Sequence, residues 1–304
     1  MAVDTQYSFR SILVEEPEAH LHPQLQVLLL RHFAKVAAEQ EGNKVQVIAS
    51  SHSPILASQA PIDSIVSVHE CIGKVSAVSV CSIDMDGKLK KKLQRFLDAT
   101  RGELFFARRI LMVEGIAEAL LLPVLTKIAG GCLKESAVTV LNADGINFNA
   151  FLPLFGEGRL AIPVAILTDG DAEKIGDPPS ACATGLKAKE AEIGNLRVEY
   201  SEITFEHELA RSPTILHLML DAFEILHPVI GKNLRTTISS ITSKDEKADV
   251  FLAEFIDKKV SKGCFAQELA LLIEGADLKA DAVPCYILKI LKFLNVIKPE
   301  PANE

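Results

Sequence analysis

The chain has 304 residues, 48% of them hydrophobic and 24% charged, which gives room for about two domains with a sizeable core and excludes a disordered chain. The opening segment, MAVDTQYSFR, lacks the apolar stretch of a signal peptide, and no apolar run is long enough for a bilayer, so neither a leader nor a membrane span is expected. A net charge of −8 argues against a broad nucleic-acid surface but leaves room for a local one.

In chain order, residues 1–85 read as strand, helix, strand and hairpin. Residues 12–14 are apolar and strand-like, 23–39 (PQLQVLLLRHFAKVAAE) form an amphipathic helix, and 45–49 (VQVIA) form a buried strand. Residues 64–68 and 74–82 alternate like a hairpin around Gly73. Met85-Asp86-Gly87 opens a polar connection and a basic helix to about residue 100, with Lys88, Lys90, Lys91, Lys92 and Arg95 as local positive charge. Residues 86–104 are the expected linker. From 105 to 212 strands and helices alternate, which predicts a parallel sheet. Residues 108–113 (RRILMV) run into Glu114-Gly115, and 116–128 read as a helix with Glu118 in its first turn and a break at Pro123. Residues 162–167 (IPVAIL) end in Thr168-Asp169-Gly170-Asp171, and NLRVEYSEITFEHEL then brings Glu206. Residues 213–260 read as a helical insertion interrupted near Lys232, and 261–304 as closing helices after a break at Ser261-Lys262-Gly263. The six cysteines, Cys71, Cys81, Cys132, Cys182, Cys264 and Cys285, form no C-x-x-C pair. They read as reduced, mostly buried thiols of a cytoplasmic protein, with no zinc site expected.

Five acidic residues, Glu114, Glu118, Asp169, Asp171 and Glu206, thus follow strands or open the elements after them. Ligands of α/β sheets gather at the carboxyl ends of strands. Carboxylates that converge there repel one another unless cations hold them. Thr204 and Glu206, two apart in an extended segment, point to one side. Plainer readings stand beside these. Glu118 suits the helix dipole in a first turn, TDGD suits a turn on geometry alone, and Thr204-Phe205-Glu206 could be an exposed strand end. Lys262 could be an ordinary surface lysine, although a cation at a helix start opposes the dipole. His32, His69, His217 and His227 read as core or surface residues, with His207 closer to the acidic segment. Asp144, before Gly145, reads as a loop lining the site, and Phe251, Phe255 and Phe265 read as core.

Two resemblances sharpen this reading. ILVEEPEAHLHPQLQ with VIASSHSPIL resembles the C-terminal half of an ABC-type ATPase head. That resemblance assigns Glu15 to the Mg²⁺ sphere, Glu16 to polarising the attacking water, and His52 to the γ-phosphate. A strand that delivers rigid carboxylates to a phosphate makes chemical sense. The plainer reading of Glu15, Glu16 and Glu18 is a solvated helix start. No G-x-x-x-x-G-K-[ST] cradle and no LSGG-like signature occurs, so ATP is expected to matter only if the missing N-terminal half is supplied.

Glu114-Gly115-x-x-Glu118 followed by Asp169-x-Asp171 resembles the Toprim domain, and an ABC-like segment ahead of Toprim resembles the OLD (overcoming lysogenization defect) nucleases. The resemblance covers nearly the whole chain. It implies an α/β protein with a partial ABC-type lobe, a Rossmann-like Toprim sheet and added helices. It further implies a nuclease that cleaves DNA by hydrolysis, with two Mg²⁺ or Mn²⁺ ions about 4 Å apart. By resemblance Glu114, Asp169, Asp171, Glu206 and Thr204 hold the ions, Glu118 is a further ligand or a base acting through water, and Lys262 neutralises charge in the transition state. DNA is the expected partner, in defence or repair, with a homodimer or a second chain completing the ATPase part. Two other readings stay open. A topoisomerase- or primase-type protein would need a nucleophilic tyrosine if it acted as a topoisomerase, and the chain offers Tyr7, Tyr200 and Tyr286. A degenerate interaction module would need no chemistry at all.

Overall fold

The computed structural model describes residues 10–38, 45–71, 73–97, 102–145 and 147–298, so Tyr7 lies outside the described residues. The chain divides into two units, Met1–Phe106 and Ala107–Glu304.

In the first unit β1 (Arg10–Glu15), α1 (Pro23–Ala38) and β2 (Val45–Ser50) form a β-α-β segment. The two strands pair in parallel with Glu15 opposite Ser50. Ser53 then caps α2 (Pro54–Gln59), its hydroxyl accepting from the Leu56 N–H at 3.2 Å. β3 (Val66–Cys71) and β4 (Lys74–Ser79) make the antiparallel hairpin, closed at Gly73 with φ +71°. The strands begin and end a few residues away from the alternating stretches, because residues 80–82 turn as a 3₁₀ segment. α3 (Gly87–Phe96) starts on Asp86, whose carboxylate accepts from the Leu89 N–H at 2.7 Å. Its Leu93 is buried, while Lys88, Lys91, Lys92 and Arg95 are exposed. Their spacing of three, four and seven places all four on one helical face.

The second unit continues with β5 (Arg109–Val113), α4 (Ile116–Ile128), β6 (Val138–Asn142), β7 (Val164–Thr168), α5 (Ala181–Ala188) and β8 (Leu196–Tyr200). The four strands form a wholly parallel sheet in the order β6-β5-β7-β8. All five residues of β7 are buried, because helices cover both faces of such a sheet; this is why IPVAIL reads as an unbroken apolar run. The chain leaves β5 toward β6 and later leaves β7 toward β8, in opposite directions. The crevice where connections diverge therefore lies between the carboxyl ends of β5 and β7, the usual ligand position in such a sheet.

The remaining helices are α6 (Phe205–Ala210), α7 (Pro213–Leu226), α8 (Pro228–Ser239), α9 (Lys244–Asp257), α10 (Lys262–Glu274) and α11 (Cys285–Phe293). α10 packs on α4 and α7, and α11 packs on β7 and β8. Phe223, Phe251, Phe255 and Phe265 form one aromatic cluster, with Phe255 and Phe265 edge-on at 5.0 Å. That is the core role expected of the latter three.

Three local expectations change. Lys232 lies inside α8, and the breaks fall at His227 and at residues 240–243. Gly231 ends no helix; a Cβ there would meet the Glu224 Cα at 2.7 Å, so glycine serves the close crossing of α7 and α8. Pro123 does not break α4, which continues to Ile128. Its ring is exposed while Leu121, Leu122, Val124 and Leu125 are buried, and this packing outweighs one lost backbone hydrogen bond. The cysteines are not mostly buried. Cys81, Cys264 and Cys285 are exposed, Cys132 and Cys182 are half-buried, and all five are free thiols. Cys264 and Cys285 sit in the first turns of α10 and α11, on positions turned to solvent.

Candidate active site

Glu114 and Asp169 each follow a strand by one residue, and Val113 pairs with Leu167 across β5 and β7. The register places the Glu114 carboxylate over the end of β7. It accepts from the Thr168 hydroxyl and, at 2.9 Å, from the Asp169 N–H. Asp169 in turn accepts from the Phe205 N–H at 2.8 Å and from the Ser201 hydroxyl at 3.2 Å. The end of β7 is thereby tied to the start of α6. Glu206 is the second residue of α6, 3% exposed, and its Oε1 lies 2.9 Å from the Lys262 ammonium on the first turn of α10. Glu118 points inward from the first turn of α4, 7% exposed. Five elements thus deliver four carboxylates and one ammonium to the crevice.

The charges are poorly solvated, and it shows in their protonation. Burial, then the negative charges of Glu114, Glu206 and Glu118, pushes the Asp169 carboxyl up to about 8 against the pull of Lys262. Burial likewise raises Glu118, with Glu206 and Glu114 adding to it and Lys262 opposing. Burial would lower Lys262, but Glu206, Asp169 and Glu118 outweigh it and hold the ammonium above its ordinary value. Two carboxyls of one crevice that resist ionisation, Asp169 and Glu118, are the electrostatic signature of a functional site.

Asp171 stands at the rim. It is exposed, has φ +52°, and donates its N–H to the Ile203 carbonyl at 2.9 Å. Burial, then the charges of Glu114 and Asp171, raises the Cys182 thiol. Thr204 and Glu206 are not two positions of one extended segment. Thr204 is the N-cap of α6, and its hydroxyl accepts from the His207 N–H at 3.3 Å. A helical turn, with a 3.6-residue period, orients Glu206. His207 is fully buried and bonds Asp249 at 2.9 Å. The loop after β6 borders the site, with the Gly145 N–H on the Glu114 carbonyl at 2.7 Å, as expected for the segment around Asp144. Thr168 and Ser201 carried no sequence signal; only their contacts reveal them.

The donor set fits a hard divalent cation. Every donor is a carboxylate oxygen, and Glu206 Oε2 is buried without a hydrogen-bond partner. Among the described residues no three side chains close into a ready-made metal cage, and Lys262 acts as the counter-charge on Glu206.

In the first unit, Glu15 ends β1 and Glu16 follows it with φ +46°. The parallel pairing of β1 with β2 brings His52 Nε2 to 3.4 Å from Glu16. Glu18 accepts from the Ser51 hydroxyl at 2.6 Å and from the His52 N–H at 2.8 Å. Although burial raises Glu18, these hydrogen bonds outweigh it and hold the carboxyl below its ordinary value.

Comparison with known proteins gives a consistent pattern. The family model for the overcoming lysogenization defect protein-like Toprim domain matches residues 105–171, and that for an AAA ATPase domain matches residues 7–57. The OLD nuclease of Thermus scotoductus is 32% identical over 114 residues, 36% of this chain and 21% of that protein. Endonuclease GajA of Bacillus cereus (strain HuB5-5) is 24% identical, covering 93% of this chain and 48% of that one. The chain thus spans about half or less of the length of these curated relatives. The C-terminal region of the Burkholderia pseudomallei OLD protein aligns with a TM-score of 0.47 and 24% identity, over 62% of this chain and 98% of that one.

Proposed function

This chain belongs to the OLD family, and on that premise we propose that its second unit is a divalent-metal-dependent nuclease that hydrolyses DNA phosphodiester bonds. The observation that carries the proposal is the meeting of Glu114, Glu118, Asp169 and Glu206 with Lys262 at the β5/β7 crevice. Glu114, Asp169 and Glu206, with Asp171 and Glu118 around them, would hold Mg²⁺ or Mn²⁺. Bound there, such ions supply Lewis acidity to the scissile phosphate and a more acidic water as nucleophile. The protein's part is to hold the geometry. Thr168 and the Asp169 N–H fix Glu114, the α6 N-terminus and Ser201 fix Asp169, and Lys262 carries positive charge toward a phosphate losing its leaving oxygen. The Thr204 hydroxyl, which we place at the edge of the ion site, first serves α6.

The first unit supports ATP use only where a phosphate-binding loop is supplied to it, Glu15, Glu16 and His52 being its contribution. Leu13 on β1 is 74% exposed, as for a strand face that the rest of an ATPase lobe would cover. No helix among the described residues is long and apolar enough to cross a membrane, and we place the protein in the cytoplasm. A topoisomerase reading finds no support in Tyr286, whose hydroxyl is buried and therefore unable to attack a DNA strand.

The test is cleavage of supercoiled plasmid by the purified chain in EDTA, Mg²⁺, Mn²⁺ and Ca²⁺. Nicked and linear products that require Mg²⁺ or Mn²⁺, and disappear in Glu114→Ala, are expected. No cleavage by folded protein under any metal would turn the reading toward a non-catalytic module.

DNA contact yields a second expectation. Among the described residues no carboxylate pairs with Lys88, Lys91, Lys92 or Arg95, whereas Lys90 is held by Asp63 at 2.7 Å. Replacing those four by Gln is expected to weaken binding of a duplex regardless of sequence. The slope of log K against log salt should flatten by about 3 to 4. An unchanged slope would remove α3 from the DNA surface.

A further inference from the structure

The helix that carries Glu206 into the crevice, α6, has only six residues, too few to hold an orientation by their own hydrogen bonds. Its direction comes from what grips it. At its start the Thr204 hydroxyl accepts from the His207 N–H at 3.3 Å, and the Phe205 N–H donates to Asp169 at 2.8 Å. Both contacts act at one end. The other grip is α9, against which α6 packs. His207 Nε2 lies 2.9 Å from Asp249 Oδ1, and the Arg211 guanidinium donates from Nε to Asp245 Oδ1 at 2.9 Å. His207 and Arg211 are four apart, as are Asp245 and Asp249, so each pair stands on one face of its helix. The two links are rungs between α6 and α9. His207 is the rung next to Glu206 in the chain, and it is fully buried. A carboxylate only accepts, so Nε2 carries the hydrogen, and Nδ1 remains a buried acceptor without a partner. Asp249 is therefore the anchor of this imidazole. Successive helical residues are about 100° apart, so the turn of α6 that brings His207 to Asp249 also sets where Glu206 points. Asp249 itself is 60% exposed, on a helix that supplies none of the crevice carboxylates.

We propose that His207 is a positioning residue of the carboxylate site, its bond to Asp249 on α9 locking the rotation of α6 and so fixing how Glu206 faces a divalent cation. This rests on the metal-site reading above. The imidazole is too deeply buried to touch a phosphodiester, so its effect passes through Glu206. Support of this kind behind a ligand typically changes metal affinity or activity by about 10–100-fold.

The test is Mn²⁺ binding, by calorimetry and by electron paramagnetic resonance of the free ion, to the full chain and to Asp249→Ala and Asp249→Asn. Substituting the exposed partner leaves the buried ring in place, so both variants are expected to fold. Alanine removes the acceptor. Asparagine removes the charge but keeps an oxygen that can accept from Nε2. Mn²⁺ affinity is expected to fall about 10-fold in Asp249→Ala and to stay within about twofold of the parent in Asp249→Asn. Equal losses in the two variants would overturn the proposal, because the charge of Asp249 would then be acting through space. Parent-like affinity in Asp249→Ala would also overturn it, and a lower metal-free melting temperature in that case would mark the bond as a fold contact. If the parent chain itself binds no Mn²⁺, the metal-site reading falls and this inference falls with it.

Discussion

Asp169→Asn should lower the rate of plasmid cleavage by about 10³-fold or more and, in the same protein, raise metal-free stability. The two effects have one cause. Asp169 is half-buried and faces the charges of Glu114, Glu206 and Glu118, and its carboxyl is pushed up to about 8. An unfolded aspartate ionises near 3.9. Between these values the unfolded chain releases its proton while the folded one retains it, so stability declines as pH rises from about 4 to about 8 and the penalty is complete above that. Asn carries no charge at any pH and removes the penalty. It also preserves the local structure, since its side-chain oxygen can still accept from the Phe205 N–H and the Ser201 hydroxyl, now at 2.8 and 3.2 Å. A gain on the order of 2 kcal/mol at pH 9 in EDTA is expected, less than the full shift implies because Lys262 and the neighbouring carboxylates readjust. In a unit of this size that is roughly 5 °C in melting temperature. Melting curves at pH 5, 7 and 9, with EDTA and with Mn²⁺, provide the measurement. The wild type should gain most from Mn²⁺ at high pH, and the variant little. Parallel pH profiles for the two proteins would show that Asp169 is not the strained charge.

What the sequence discloses about this site follows a physical boundary. Glu114 and Asp169 are legible because apolar strands announce themselves and α/β sheets bind at strand ends. Glu118 is legible because a helix begins three residues after β5 ends. The parallel sheet follows from the same alternation. Glu206 is reached from the sequence by the wrong geometry, as a strand position, since six helical residues after a cap at Thr204 are too few to show a period. Contacts between distant segments leave no local trace. Asp169 meets the Phe205 N–H across 36 positions, and Lys262 meets Glu206 from a helix whose own pattern says only that it is buried on one side. Beside the break expected near Lys232, Gly231 serves a close helix crossing, and only the position of Glu224 reveals it.

Glycine at position 170 gives the other large effect. Gly170→Ala is expected to destabilise the second unit by about 3 kcal/mol and to reduce cleavage by about 10²-fold even in the fraction that folds. Gly170 has an ordinary negative φ, so backbone strain is not the reason. A Cβ there would meet the Ser201 carbonyl oxygen at 2.1 Å and that of Glu202 at 2.6 Å. Both are backbone atoms of the segment joining β8 to α6, and neither can turn aside as a side chain could. The segment must move away by more than an ångström. The Asp171 N–H on Ile203, at 2.9 Å, and the Ala172 N–H on Glu202, at 3.2 Å, hold it against β7, so those bonds would stretch first. The displaced segment also carries Ser201 and the start of α6, and hence the two donors to Asp169 and the placement of Glu206. Stability and chemistry therefore fail together. Gly185→Ala provides the contrast, because Gly185 lies within α5 and a Cβ there meets nothing within 4 Å. That variant is expected to gain about 0.5–1 kcal/mol from helix propensity with cleavage unchanged. Melting temperatures and initial rates for the pair decide the matter. Native-like stability in Gly170→Ala would mean that the β8–α6 segment yields freely, and that the grip of Asp169 on α6 is not what shapes the site.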